Sequence, residues 1–361
     1  MTNVIHNFNA GPSILPAEVF EEASRAIMNF NNTGLSILEL GHRTKTFQAV
    51  MEEAMALAKE LMRLDNDHEV MFLHGGASSQ FFQVPMNLLG ENDLAAYTDT
   101  GVWASKAIKE AKLFGHVEVV CSSKNENYNH LPKQFTVPKT ARYLHITSNN
   151  TIYGTQWQDL SIFYNTGVPL VADMSSDILS RDIDFNKFDI IYAGAQKNAG
   201  AAGVTLVVAN KNILGKVQRN IPSMLDYRNH IANGSMLNTP PVFAVYVCML
   251  TLRWLKSIGG IAEIEQVNNR KAALLYHTID SLDLFRGTVV KEDRSKMNVC
   301  FVAKDEQLEK EFAELCHKEG MVGVKGHRTV GGFRISLYNA LPYESVEAIT
   351  DLMKDFAQRK S

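Results

Sequence analysis

One lysine occupies a setting of small residues, Asp189-Ile-Ile-Tyr-Ala-Gly-Ala-Gln-Lys197-Asn-Ala-Gly-Ala-Ala-Gly, between two β-rich runs. Small neighbours allow close backbone approach, and a partly desolvated amine is what Schiff-base chemistry with a carbonyl compound needs. A lone lysine is also commonly a solvated surface group. Upstream, Pro169-Leu-Val-Ala-Asp173 places a carboxylate at the C-terminal end of an apolar strand. Open α/β sheets gather ligands at such ends; the competing reading is a helix N-cap. A third feature, Glu69-Val-Met-Phe-Leu-His-Gly-Gly-Ala-Ser-Ser-Gln, runs from a strand into a turn that opens a helix. Backbone N–H groups and the helix dipole there favour an anion such as phosphate, although the same residues also make a plain tight turn. It is neither a Walker loop nor a Gly-x-Gly-x-x-Gly turn. Asp173 and Lys197 together are more specific than either alone. On successive strand ends they form the pair a pyridoxal phosphate site requires, with the carboxylate keeping the ring nitrogen protonated and the lysine forming the imine.

Those residues need a sheet to bring their strand ends together. Short apolar runs at Glu69–Leu73, Val117–Val120, Tyr143–Thr147, Leu170–Ala172, Ile190–Tyr192 and Val204–Val208 alternate with loops and amphipathic stretches. Near-continuous apolar strands predict a mostly parallel sheet covered on both faces. Helical spacing precedes them, from Val19 to Phe30 behind Pro16 and from Phe47 to Leu61. After Leu252 the rhythm changes. A long helix over Ile261–Leu282, a strand over Val299–Ala303, a helix over Glu306–Lys318, a strand over Phe333–Tyr338 and a terminal helix over Glu344–Gln358 predict a second, α+β unit. The Gly259-Gly260 pair marks the break, giving expected domains of 1–255 and 256–361, with segment 1–15 able to pack on the smaller one.

Composition narrows the function. A chain of 361 residues with 45% apolar and 21% charged residues is ordinary globular material. The net charge of −3, with no block of like charges, argues against a nucleic-acid or anionic-membrane partner. Cys121, Cys248, Cys300 and Cys316 contain no Cys-x-x-Cys pair, so neither a zinc framework nor a redox dithiol is expected, and no metal site is assigned. The longest apolar stretch, Val242–Leu252, falls short of the roughly 20 residues that span a bilayer. The start of the chain has no basic, apolar signal pattern. A cytoplasmic protein is the expectation.

Phe8-Asn-Ala-Gly-Pro, Gly41-His-Arg, His74-Gly-Gly, Trp103, Thr151-Ile-Tyr-Gly, Ala193-Gly-Ala-Gln-Lys-Asn, Gly234-Ser-Met-Leu-Asn-Thr-Pro-Pro and Lys325-Gly-His-Arg-Thr-Val-Gly-Gly-Phe-Arg follow in order along nearly the whole chain. In these segments the sequence resembles the phosphoserine aminotransferases, class V enzymes that use pyridoxal phosphate. The resemblance implies an aspartate-aminotransferase-like, fold type I α/β architecture. It would have a seven-stranded, mostly parallel sheet, a smaller α+β domain, and active sites at the interface of a homodimer.

Carried over by resemblance, Lys197 is the Schiff-base lysine, Asp173 the partner of the pyridine nitrogen and Trp103 the platform stacked on the ring. Thr151 is placed near the ring hydroxyl. Ala77, Ser78 and Gln196 hold the cofactor phosphate from one subunit, Asn238 and Thr239 from the other. Many bacterial relatives have arginine where this chain has Ser78. For Trp103 a core aromatic, and for Asn238-Thr239 before Pro240-Pro241 a helix start, are the alternatives. Arg334 resembles the family's α-carboxylate clamp; His42, Arg43, His327 and Arg328 resemble its pocket for a phosphate or a distal carboxylate. Forked arginines suit a doubly anionic substrate. The implied reaction moves the amino group of glutamate to 3-phosphohydroxypyruvate, giving O-phosphoserine in serine biosynthesis. A four-carbon homologue, 3-hydroxy-2-oxo-4-phosphonooxybutanoate, on the route to pyridoxine, would suit the same pocket. Competing readings are a cysteine desulfurase, an alanine–glyoxylate aminotransferase, or a catalytically silent binding module. No cysteine sits in a convincing mobile loop, and a small neutral substrate would not call for two Gly-His-Arg segments.

Overall fold

Two helices and a short strand lead into the main sheet: β1 (His6–Asn7), α1 (Ala17–Met28) and α2 (Lys45–Leu61). The computed structural model describes residues 4–360. The sheet is built from β2 (His68–His74), β3 (Leu94–Asp99), β4 (His116–Ser122), β5 (Ala141–Thr147), β6 (Leu170–Asp173), β7 (Ile190–Gly194) and β8 (Val204–Asn210). Helix α3 (Ala77–Leu88) follows β2, and α4 (Val102–Ala111) follows β3. The spatial order is β2-β8-β7-β6-β5-β3-β4. Neighbours from β4 to β7 run parallel, while β8 is antiparallel to both β7 and β2.

Alternate residues of the same strands feed opposite cores, as a two-residue side-chain period requires. Met71, Leu73, Tyr97, Tyr143, Val171 and Tyr192 pack with α3 and α4 on one face. Val70, Phe72, Leu144, Ala172, Ile191 and Ala193 pack on the other with α1, α2 and α5 (Val242–Ser257). Burial on both faces is why β6 reads Leu-Val-Ala before its terminal Asp173.

After α5 the chain turns by 82° into α6 (Gly260–Ser281). It continues through β9 (Phe285–Gly287), β10 (Asn298–Ala303), α7 (Glu306–Lys318), β11 (Met321–Val322), β12 (Phe333–Ser336) and α8 (Tyr343–Lys360). Strands β9, β10 and β12 form a small antiparallel sheet in that order. The core beneath it joins Leu275 and Ile279 of α6 to Phe301, Phe312, Phe333 and Met353. The start of the chain reaches this region: β1 pairs in parallel with β11, and Phe8 lies in the same core. Helix α6 serves both cores, because Ile261 and Ile264 at its start pack with α5. Among the described residues, no single helix is long and apolar enough to cross a membrane.

Candidate active site

The C-terminal ends of β2, β5, β6 and β7 converge on a cavity of about 250 Å³. Its lining brings together Ala77, Ser78, Trp103, Asp173, Gln196 and Lys197. Parallel pairing aligns Thr147 with Asp173 and Asp173 with Tyr192, so the sheet register itself sets the floor.

Lys197 sits in the turn that links β7 to β8. The turn is held from outside, because Ser13 N–H donates to the Gln196 carbonyl at 2.9 Å and the Ser13 hydroxyl donates to the Lys197 carbonyl. Gly11, with φ of +144°, lies against the Lys197 side chain; a Cβ there would stand 3.4 Å from Cγ. Next in sequence, Asn198 receives the Asn339 N–H at 3.0 Å and donates to the Ile178 carbonyl at 3.1 Å. Burial pushes the Lys197 ammonium below its usual range; Asp173 pulls it back up, and Arg334 adds to the downward push. Such an amine is easier to deprotonate at neutral pH than a solvated lysine.

Asp173 ends β6 and turns one carboxylate oxygen inward. Its Oδ1 accepts from the Ser175 N–H at 2.9 Å and the Ser175 hydroxyl at 2.6 Å. Among the described residues no hydrogen bond reaches Oδ2. Burial raises this carboxyl above the ordinary range, while the Ser175 hydroxyl and the Lys197 charge pull it down. A buried carboxylate with one free oxygen beside a lysine is poised for a second cationic N–H.

At the other end of the cavity, α3 begins at Gly76 without any side-chain cap. The first amides of such a helix have no partner within it. Gly76 has φ of +68° and nothing within 4 Å of a notional Cβ, so space above those amides is open. Ala77 and Ser78 supply the exposed amides, and Ser79 closes the turn by donating to the Gly76 carbonyl at 2.7 Å. The Gln196 side chain folds back over Gly194.

Trp103 forms one wall. Its Nε1 donates to the Thr151 hydroxyl at 3.2 Å, and the Lys197 ammonium lies 5.9 Å from the ring centroid. Thr151 connects onward, since its carbonyl accepts from Arg334 Nη1 at 3.1 Å. The Arg334 Nε is buried without a hydrogen-bond partner among the described residues.

The remaining residues singled out in the sequence lie off this cavity. Asn238 and Thr239 meet the side chain of His74, where Nε2 is 2.9 Å from the Thr239 carbonyl and 3.1 Å from Asn238 Nδ2. His42 and Arg43 stand ahead of α2, with His42 Nε2 buried and unpartnered. His327 and Arg328 lie in the loop before β12, with His327 Nδ1 2.8 Å from the Thr329 hydroxyl. Burial and the charges of Arg334, Arg328 and Lys106 lower the His327 pKa, favouring the neutral ring.

Comparisons with known proteins bear directly on this geometry. The family model described as aminotransferase class-V matches residues 5–349. A phosphoserine aminotransferase from Flavobacterium johnsoniae is 57% identical over 350 residues, covering 97% of this chain and 98% of the relative. The chain belongs to the phosphoserine aminotransferases. A phosphoserine aminotransferase from Bacteroides thetaiotaomicron is 55% identical over 354 residues, 97% of this chain and 98% of its own length. Among solved structures, the phosphoserine aminotransferase from Bacillus circulans subsp. alkalophilus superposes with a TM-score of 0.96 at 44% identity, covering 100% of both chains. A PLP-bound phosphoserine aminotransferase from Trichomonas vaginalis gives 0.91 at 35% identity, covering 97% of this chain and 100% of that one.

Phosphoserine aminotransferases are pyridoxal-phosphate-dependent transaminases of fold type I, and this cavity suits that cofactor. It offers an amine at one point, a carboxylate with a free oxygen at another, an indole wall between them and uncapped helix amides for a phosphate. The lining also includes Gly75 and Gly76 of the His74-Gly-Gly turn, and Phe81, Thr147, Asn149, Ser175 and Ser176, to which sequence reasoning gave no role. Ser175 carried a signal, since a serine two residues after an acid at a strand end is placed to bond that acid. Thr147 closes the apolar run Tyr143–Thr147 and carried none beyond its place at a strand end.

Proposed function

We propose that the chain catalyses reversible transfer of the amino group of L-glutamate to 3-phosphohydroxypyruvate, yielding O-phospho-L-serine and 2-oxoglutarate. The observation that carries this reading is the convergence of Ala77, Ser78, Asp173, Lys197 and Trp103 on one cavity, with Trp103 bonded to the Thr151 hydroxyl and Arg334 to the Thr151 carbonyl.

Pyridoxal phosphate, when bound, supplies an electron sink for the substrate α-carbon and carries the amino group between the two half-reactions. Lys197 provides the amine that tethers the cofactor aldehyde and, once displaced, the base that moves the proton at the α-carbon. Its lowered pKa leaves a useful neutral fraction, and tethering keeps it beside that carbon. Asp173 binds the ring nitrogen through Oδ2 and holds its proton. Trp103 stacks on the ring, with Thr151 bonding near the ring hydroxyl. Ala77, Ser78 and Gln196 hold the phosphate, Ser78 through hydroxyl and amide where an arginine would have added charge. Arg334 binds the α-carboxylate with the edge that includes Nε.

His42, Arg43, His327 and Arg328 form the pocket for the distal phosphate or carboxylate, and the pocket is shared between two copies in a homodimer. Phe20, Met28, Leu35 and Leu38 are exposed apolar side chains in the segment of chain before His42 and Arg43. Covering them with a second copy would carry that pair, together with Asn238 and Thr239, towards the partner's site. Residues 1–255 and 256–361 act as large and small domains, with the N-terminal strand β1 docked on the smaller one. The four unpaired cysteines fit a cytoplasmic setting. The same distal pocket would accept 3-hydroxy-2-oxo-4-phosphonooxybutanoate, one carbon longer, linking the enzyme also to pyridoxine biosynthesis.

The test is a visible absorption spectrum of the purified holoenzyme. Glutamate should bleach the cofactor band, and 3-phosphohydroxypyruvate should restore it with formation of O-phosphoserine. Bleaching without recovery would reject the phosphorylated acceptor; recovery with pyruvate alone would favour a small neutral substrate instead.

A further inference from the structure

Lys106 stands three residues after Trp103 on α4, and its ammonium lies 4.4 Å from the Trp103 ring centroid. The Lys197 ammonium lies 5.9 Å from the same centroid. The two charges are therefore no further apart than the sum of those distances, which places Lys106 at the cofactor wall rather than on a remote surface. Residues i and i+3 share a helix face, so Trp103 and Lys106 point the same way.

Lys106 also has no partner of its own. Among the described residues it makes no ion pair or hydrogen bond, although Glu110 lies one helical turn further on. Its charge is felt by His327 together with those of Arg328 and Arg334. The charges of Arg334, Arg328 and Lys106 all act on the His327 ring, and Lys106 comes from a different part of the chain from the two arginines. Lys106 is exposed, so an ammonium resting over the indole face remains free to contact an incoming anion.

We propose that Lys106 is a specificity-determining residue that contacts the distal anionic group of the acceptor and favours a phosphate dianion over a carboxylate. The inference rests on the functional reading above and adds a residue from the Trp103 helix to the His327–Arg328 side of the pocket. Charge arithmetic sets the preference, because removing one cation costs a dianion about twice the Coulomb energy it costs a monoanion. The ammonium also donates up to three hydrogen bonds to phosphate oxygens without the planar geometry an arginine demands.

The experiment compares wild type, K106M and K106R as holoenzymes, measuring kcat and KM for 3-phosphohydroxypyruvate and glutamate separately, with inorganic phosphate as a competitive inhibitor. K106M should raise KM for the phosphorylated acceptor about tenfold, as expected for losing one charge-assisted contact. KM for glutamate should rise about threefold or less, with kcat changing little for either. The inhibition constant of phosphate should rise in parallel with the acceptor KM, and K106R should restore most of both. Equal changes for the two substrates, or a fall in kcat alone, would overturn the proposal and leave Lys106 as packing for Trp103. Wild type that turns over glutamate but ignores the phosphorylated acceptor would sink the functional reading and this inference with it.

Discussion

The floor of the cavity and its rim are built in opposite ways. On the floor most polar groups are tied into a dense network, Asp173 Oδ2 and the Thr147 hydroxyl being left without a hydrogen bond among the described residues. Asn149 donates to the Ser176 hydroxyl and Asn298 Oδ1, both at 2.8 Å, while Ser295 donates to its carbonyl oxygen at 2.5 Å. Asn268 donates to Asn339 Oδ1 at 2.8 Å, and Asn339 donates in turn to Asn198 beside Lys197. At the rim, His42 Nε2 and Arg334 Nε are buried with no hydrogen-bond partner among the described residues, and the charges of Arg334, Arg328 and Lys106 all act on His327. The difference follows from residence time. A cofactor that stays through many turnovers needs groups fixed beforehand, whereas substrates that leave each cycle need donors left open between visits.

That contrast is sharpest in kinetics, since floor substitutions should act on kcat and rim substitutions on KM. If Lys197 is both tether and base, as proposed, Lys197→Ala should lower kcat by about 10⁴-fold or more. Asp173→Asn keeps the side-chain shape but loses the charge that holds the ring-nitrogen proton. A drop in kcat of about 10²–10³-fold, with glutamate KM within a few-fold of wild type, is expected. Near-normal kcat in this variant would remove Asp173 from the floor. Arg334→Lys keeps a charge but loses the fork, and kcat/KM for both substrates should fall about 10- to 100-fold, mainly through KM. A pure kcat effect would break the comparison, because the arginine would then belong with the floor.

The same contrast explains what the sequence disclosed. Apolar runs marked six of the seven strands of the main sheet, and helical spacing marked the three helices from Gly260 onward, because burial leaves a local signature. Leu94–Asp99 escaped, since Leu-Ala-Ala-Tyr-Thr-Asp is alanine-rich and carries little β propensity. The antiparallel placement of β8 also escaped, because strand direction lies in the connections and not in the strand residues. Asp173 and Lys197 could be singled out because a carboxylate and an amine at successive strand ends are a specific pair, and the structure brings both into the lining of one cavity. The placement of Lys106 carried no such signal, because a lysine on an amphipathic helix reads as a solvated face until Trp103 is seen beneath it. Thr147 and Asn149 became visible as cavity lining only through the tertiary convergence of several strand ends.

A smaller effect separates floor from rim through stability. His145 lies under the floor, its Nε2 2.8 Å from the Tyr192 hydroxyl and its ring stacked 4.7 Å from Tyr97. Burial holds its pKa down to about 3, against 6.5 for an ordinary imidazole. The unfolded chain therefore takes up a proton at this position below about pH 6.5, whereas the folded chain resists until far lower. Stability from the neutral ring is fully present above the unfolded value and lost progressively as pH falls towards the folded one. His145→Gln keeps a polar neighbour for Tyr192 but removes the titration. At neutral pH the variant should be less stable by about 1–2 kcal/mol from poorer packing. On acidification its melting temperature should fall less steeply than that of wild type, so the two curves converge between pH 7 and 5. Arg328→Gln at the rim should instead track wild type across the same range. Parallel curves for His145→Gln and wild type would mean that the imidazole is not held neutral beneath the sheet, and that the floor is no more acid-sensitive than the rim.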